Sequence, residues 1–325
     1  MRYTALPTTH LVPSVIGLGT AGFGSAIPQE RAFALLDRFA ELGGNFLDTA
    51  RVYAAWLPGG AGASERTIGA WLKSRGMAEQ MIVATKGGHP DLATMHISRL
   101  SPAEIAADLT ASLDALGLAA VDLYWLHRDD PAIPAGEIVD ALNEHVRAGR
   151  LRAIAASNWT TERIEAANAW AAAHGQVGFC ASQIGWSLAQ PDPAARGFGG
   201  ELAMDAATLA YHRRTGFPVV AYSSQAAGFF AGKADRYLAP DAPRDGFSRK
   251  YMTAENLARL ARARMLAERR GRPTNDIALA YLLSQPFPVY ALVGCQTVEQ
   301  VQASCAAADL RLTPEEIGFL ESGIS

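Results

Sequence analysis

The sequence predicts an α/β fold: a (β/α)8 (TIM) barrel with an N-terminal hairpin and extra helices near the C-terminal end. Three observations carry this. Short apolar runs alternate with longer amphipathic runs along all 325 residues, eight times over. The apolar runs are too continuous for strands with a solvated face, so they need cover on both sides, as parallel strands with helical crossovers have. No low-complexity block or Gly/Ser linker divides the chain, so residues 1–325 read as one barrel domain. An open doubly wound sheet is the alternative. It places its glycine-rich turn at the opening of a helix, whereas here the first helical pattern starts only at about Gln29.

The elements follow in order. Residues 2–12 read as a hairpin across the barrel bottom, and 12–20 as the first strand. A helix over 29–44 is closed by Gly43-Gly44. NFLDTA (45–50) is a strand, and 64–76 a helix with Ser64 as its N-cap. A β-branched strand spans 81–86. The helix over 101–118 has Ser101 at its cap, Pro102 in its first turn and Glu104 completing a capping box. Strands at 121–127, 151–158, 177–183 and 217–223 are separated by helices at 134–149, 160–175 and 201–216. Two successive helices (253–271 and 274–285), a strand (288–294), a helix (297–310) and a short helix (313–323) end the chain.

Apolar residues make up 49% of the chain and charged residues 19%, and the formal charge is −3. No basic field points to nucleic acid. No run of eighteen apolar residues points to a membrane span. The N-terminus, broken by Pro7 and Pro13, does not read as a signal peptide. Cys180, Cys295 and Cys305 lack metal or disulfide spacing, so no metal site is expected and a cytoplasmic location is the default.

In such a barrel the chemistry sits at the C-terminal ends of strands. Read in order, those ends give Gly19-Thr20, Asp48 with Tyr53 beyond it, Lys86, His127, Ser157-Asn158, Gln183, Tyr222-Ser223 and Gly294-Cys295. Asp48, Tyr53, Lys86 and His127 form a chemically coherent set. A phenol is a poor acid near neutrality, with a pKa of about 10. An ammonium ~4 Å away favours the phenolate by up to roughly 4 kcal/mol. Asp48 would hold Lys86 charged, and His127 would hydrogen-bond a substrate oxygen beside the phenol. Each residue alone reads more readily as packing or a solvated strand end; the set at successive strand tops reverses that.

The motifs GLGT (17–20), FLDTARVY (46–53), SERTIGAWL (64–72), VATK (83–86), DLYWLH (122–127), ASNW (156–159), Gln183 and AYSS (221–224) span nearly the whole chain in order. Together they resemble the aldo-keto reductases. The resemblance implies Tyr53 as proton donor, supported by Asp48, Lys86 and His127, and an NADPH or NADH cofactor across the barrel top. Ser157, Asn158 and Gln183 would hold its carboxamide, and Tyr222 would stack on its nicotinamide. Gly19, Thr20, Asp48, Ser223, Gly228, Gly294, Cys295, Gln296, Gln300 and Ser304 complete the expected cofactor set. The substrate would be a small carbonyl compound or alcohol, bounded by Trp56, His127, Arg128, Trp159 and Phe229, and the aromatic and polar loop residues fit sugar-like and aryl carbonyls about equally. Two departures stand out. The turn after the seventh strand reads Ser223-Ser224-Gln225, where the family commonly has Ser-Pro-Leu. No basic residue occurs over 294–304, where the family binds the 2′-phosphate, so a weakened preference for NADPH is expected. Long loops at 87–100 and 225–251 are candidate pocket walls, and the second is a candidate lid. Other classes remain as alternatives: a metal-dependent hydrolase, against which the lack of an H-x-H pair argues, and a redox-sensing nicotinamide-binding subunit with slow turnover.

Overall fold

Eight parallel strands close into a barrel in chain order: β1 (Ile16–Gly19), β2 (Phe46–Asp48), β3 (Ile82–Gly87), β4 (Val121–Leu126), β5 (Leu151–Ser157), β6 (Phe179–Gly185), β7 (Val219–Tyr222) and β8 (Val289–Val293), with β8 pairing back onto β1. The computed structural model describes residues 1–195, 201–239 and 241–323. The crossovers are α1 (Gln29–Glu41), α2 (Ala63–Arg75), α3 (Pro102–Leu116), α4 (Ala135–Arg147), α5 (Thr161–Ala173) and α6 (Ala206–Thr215). After β7 come α7 (Gly246–Tyr251), α8 (Ala254–Arg270) and α9 (Thr274–Leu283). After β8 come α10 (Val298–Ala306) and α11 (Pro314–Ser322). Gly17, Gly19 and Gly22 have dinucleotide-fold spacing, but α1 starts seven residues after Gly22, at Gln29, and the sheet is closed.

Two-residue periodicity divides the core. Leu123 and Trp125 of β4 point into the barrel with Ala84, Ala153, Ala155, Ala181 and Val220, while Tyr124 and Leu126 pack outward under the helices. The indole of Trp125 fills a barrel whose neighbouring inward positions are mostly alanine, which is how a closed barrel reaches interior packing density. The N-terminal segment is a hairpin, with Leu6 N donating to Leu11 O and Thr4 N to Pro13 O. Leu6 and Leu11 enter the inner cluster beside Phe46 and Tyr290 at the strands' N-terminal ends, and the Tyr290 hydroxyl donates to Thr4 O at 3.1 Å.

Three expectations are corrected. β1 starts at Ile16 rather than 12, because residues up to 15 pair with the hairpin, including the antiparallel bridge Tyr3–Ser14. Ser64 is not an N-cap. Gly62 takes that place, and the buried Ser64 hydroxyl sits 2.9 Å from Thr20 Oγ1 and 2.8 Å from Thr49 Oγ1, tying α2 to the tops of β1 and β2. The helix expected over 201–216 starts only at Ala206, capped by Asp205 accepting from Thr208 N. Residues 201–204 instead run beside the end of β6, with an Ala203–Gly185 bridge. The capping box at Ser101 and Glu104 is present.

Candidate active site

The site follows from the same periodicity, carried one step past the core. Inward positions 46, 84, 125, 155, 181 and 220 are apolar; two residues on, the same strands carry Asp48, Lys86, His127, Ser157, Gln183 and Tyr222. Asp48, Lys86, Ser157 and Gln183 are buried, and His127 continues the ladder through its N–H to Gly87 O at 2.9 Å.

Lys86 Nζ is the hub. It pairs with Asp48 Oδ1, donates to Thr49 O at 2.8 Å and lies 3.0 Å from the Tyr53 hydroxyl. The other Asp48 oxygen accepts from Gln183 Nε2 at 2.9 Å. Burial works against the ammonium, but Asp48 and Tyr53 outweigh it and raise the Lys86 pKa, so the side chain is charged. For Tyr53 the balance differs from the sequence expectation. Burial raises the phenol's pKa, Lys86 lowers it, and Asp48 raises it again; the net shift is upward. The carboxylate that orients the lysine also offsets its charge, so the phenol is held as an acid. His127 stands across from Tyr53, with ring centroids 6.0 Å apart. Burial, then Lys86, His89 and Arg128, depress its pKa well below the ordinary value, so the imidazole is neutral.

Backbone strain marks the same region. Ala54 follows Tyr53 with φ 67°, Asn158 has φ 60° and Ser223 φ 54°. Non-glycine residues in this conformation cost on the order of 1–3 kcal/mol each and persist where surrounding contacts impose them. For Asn158 those contacts are visible: its Oδ1 accepts from Leu202 N at 3.0 Å and from the Tyr222 hydroxyl at 2.9 Å, and its Nδ2 donates to His127 O at 3.2 Å. Gly87 is required by close approach, since a Cβ there would lie 1.9 Å from the Tyr124 hydroxyl.

These groups open into a cleft of about 1050 Å³, at the upper end of the range for ligand pockets. Asp48, Tyr53, His127 and Arg128 line it, as does every residue of the expected cofactor set: Gly19, Thr20, Ser157, Asn158, Gln183, Tyr222, Ser223, Gly228, Gly294, Cys295, Gln296, Gln300 and Ser304. Lys86 lies beneath Tyr53, outside the lining. Three expected pocket residues stand elsewhere. Phe229 is fully buried against Phe230, and it is Phe230 that faces the cleft. Trp159 is buried, donating its indole N–H to Arg128 O at 3.0 Å and packing edge-on to Phe179. Trp56 is 56% exposed and outside the lining.

Gln225 and Lys233 line the cleft from the long loop expected as a pocket wall, whereas sequence reasoning missed Ile27, Glu201, Ser224 and the start of α9 at Pro273–Asp276, which also line it. These lie beyond strand ends or on a second helix, where no periodicity marks them. The cleft suits a long, polar ligand of the dinucleotide type. It runs from the buried Tyr53 group to amide and hydroxyl groups at Asn275, Gln296, Gln300 and Ser304, and a Cβ added to Gly294 would meet nothing within 4 Å.

Comparison with known proteins agrees with this arrangement. The profile described as Aldo/keto reductase family matches residues 15–324. The norsolorinic acid reductase stcV of Emericella nidulans is 29% identical, covering 98% of this chain and 80% of that protein. An uncharacterised oxidoreductase of Bacillus subtilis is 29% identical, covering 98% of this chain and 95% of its own. The crystal structure of a thermostable aldo-keto reductase in complex with the inhibitor epalrestat superposes with TM-score 0.74 at 25% identity, covering 99% of both chains. Members of this family act on small-molecule carbonyl compounds with NAD(P)H. With a matching profile over nearly its full length and a closed eight-stranded barrel to carry it, this chain is an oxidoreductase that belongs to the aldo/keto reductase family.

Proposed function

We propose that the protein reduces an aldehyde or ketone, or oxidises the matching alcohol, with Tyr53 as the group that gives or takes the proton. The observation that carries this is the Tyr53 hydroxyl on the cleft wall, 3.0 Å from an ammonium that a buried carboxylate holds charged. A bound nicotinamide supplies or accepts the hydride. The protein's part is the proton and the geometry. Tyr53 donates to the carbonyl oxygen as charge develops there, Lys86 stabilises the phenolate left behind, and neutral His127 fixes the substrate oxygen between them. Asn158 and Gln183 hold the carboxamide. Tyr222, whose hydroxyl is anchored on Asn158 Oδ1 and Leu202 O, offers a fixed ring face for the nicotinamide. The test is Tyr53→Phe. Turnover of an aldehyde panel should fall at least ~100-fold, with cofactor affinity nearly unchanged. A Phe variant that keeps most of its activity would remove Tyr53 from this role.

The same reading extends to cofactor choice. Thr297 caps α10, and Gln296 N donates to Gln300 Oε1 at 2.7 Å; among the described residues lining this end of the cleft there are hydrogen-bonding groups and no cation. Lys233 is the lysine in the described cleft lining, and its ammonium lies 4.2 Å from the centre of the Phe247 ring. A 2′-phosphate is best held by Arg or Lys in direct contact. NADH is therefore used comparably to NADPH or better. Measuring kcat/KM for both cofactors at fixed substrate and salt checks this; an NADPH preference above ~100-fold, about 2.7 kcal/mol, would overturn it.

A further inference from the structure

Two charged side chains face the cleft beside the Tyr53 group and neither gives nor takes the proton in the reading above. Arg128 directly follows His127. Its guanidinium is largely buried, its Nε has no hydrogen-bond partner among the described residues, and its Nη1 lies 3.5 Å from His127 O, a contact at the limit of hydrogen bonding. Glu201 comes from the segment laid along the end of β6. That segment is pinned at its next residue, with Leu202 N on Asn158 Oδ1 and Leu202 O accepting from Gly185 N at 2.9 Å. The carboxylate thus stands at the wall shared by Asn158 and Tyr222. Arg128 Nη2 and Glu201 Oε1 are 3.8 Å apart. That is close enough for attraction and too far for a hydrogen bond.

A pair held this loosely, on backbones fixed this firmly, is built to take a third group. A guanidinium has five donors and no acceptor; a carboxylate only accepts. A hydroxyl satisfies both, accepting from Arg128 and donating to Glu201, and neighbouring hydroxyls do so without strain. A substrate carboxylate would suit Arg128 but would meet Glu201 at the same place. A flat aryl group could stack on the guanidinium but would strip water from Glu201 and offer it no donor. Trp56, Trp159 and Phe229 stand outside the described cleft lining, whose aromatic side chains are Tyr53, His127, Tyr222 and Phe230.

Resting on the oxidoreductase reading above, we propose that the substrate is a polyhydroxylated carbonyl compound of the sugar type, whose hydroxyls are selected by Arg128 and Glu201. Glyceraldehyde and propanal share a three-carbon chain and differ by two hydroxyls, so their kcat/KM ratio, corrected for aldehyde hydration, reads this directly. Sites that hydrogen-bond a substrate hydroxyl reject the analogue lacking it by up to roughly 10⁴-fold or more. The wild type should favour glyceraldehyde at least ~10-fold, mainly through KM. Arg128→Met and Glu201→Leu should each lower the ratio at least ~5-fold, with benzaldehyde gaining on glyceraldehyde in both. Where the leucine variant does not fold, as judged by cofactor titration, Glu201→Gln keeps the side chain's shape and should show the same direction of change. A wild-type ratio near one, or a ratio unmoved by the substitutions, overturns the proposal while propanal turnover still supports the oxidoreductase reading. A wild type that reduces no carbonyl with either cofactor overturns both.

Discussion

At Tyr53, burial and two charged neighbours act in opposing directions, and their balance sets the pH behaviour. Burial and Asp48 raise the phenol's pKa and Lys86 lowers it, with a net upward shift from 10. The acid form is present below that pKa and lost only above it. His127 works with the opposite sign: its neutral form is present above a pKa that burial and nearby cations push well below 6.5. Carbonyl reduction at saturating cofactor should therefore be flat from pH 6 to 9, with neither limb inside the window. Lys86→Met removes the charge that stabilises the departing phenolate. It should lower kcat/KM at least ~10-fold across that range without creating a limb. A wild-type limb between pH 6 and 9 that shifts in the Lys86→Met variant would show that the phenol is held well below 10. That balance is not legible from residue types. The sequence shows a lysine and a tyrosine meeting at the barrel top; that Asp48 offsets the lysine depends on distances.

At the scale of elements, strand tops were legible and loops were not. Asp48, Lys86, His127, Ser157, Gln183 and Tyr222 keep the inward parity of their strands, so a pattern already in the sequence aims them at the cleft. Phe229 and Phe230 belong to a 3-10 turn with Ala227 and Gly228 at positive φ, and no period says which ring turns inward. The segment expected as a lid, 225–251, contains one residue outside the described set. Its described part is two 3-10 turns and α7, with the rings of Phe229, Phe230, Phe247 and Tyr251 packed edge-on or tilted against one another. Gly228 and Lys233 of this segment line the cleft, while Arg236 and Arg244 are exposed. Cofactor bound beneath it should stabilise the segment against local opening. Tryptic cleavage after Arg236 and Arg244, followed by mass spectrometry, should slow several-fold with saturating NADH. Equal rates with and without cofactor would mean the segment does not respond to the site.

Across the whole molecule, the barrel separates what stabilises it from what reacts, and this separation is testable. The order of elements was readable because each strand-helix unit carries its own periodicity and stop signals. The closing of the sheet, β8 onto β1, needed only the count of eight. The hairpin's depth was not readable: Leu6 is 1% exposed inside the inner cluster with Phe46, Trp125 and Tyr290, at the end opposite the cleft. It closes the barrel floor as a side chain of any strand would. Leu6→Ala should cost about 2–5 kcal/mol, as other large-to-small core substitutions do. For a chain of this length that lowers Tm by at least ~3 °C. Between Leu6 and Tyr53 lies the inner layer of Trp125 and its alanine neighbours, which the substitution leaves in place. kcat/KM at 25 °C should then stay within ~3-fold of wild type, a change in activation free energy below about 1 kcal/mol. A Leu6→Ala protein that keeps its Tm would show that the hairpin is not part of the folding core. One that keeps its Tm but loses turnover would show that the barrel floor is coupled to the Tyr53 group through Trp125.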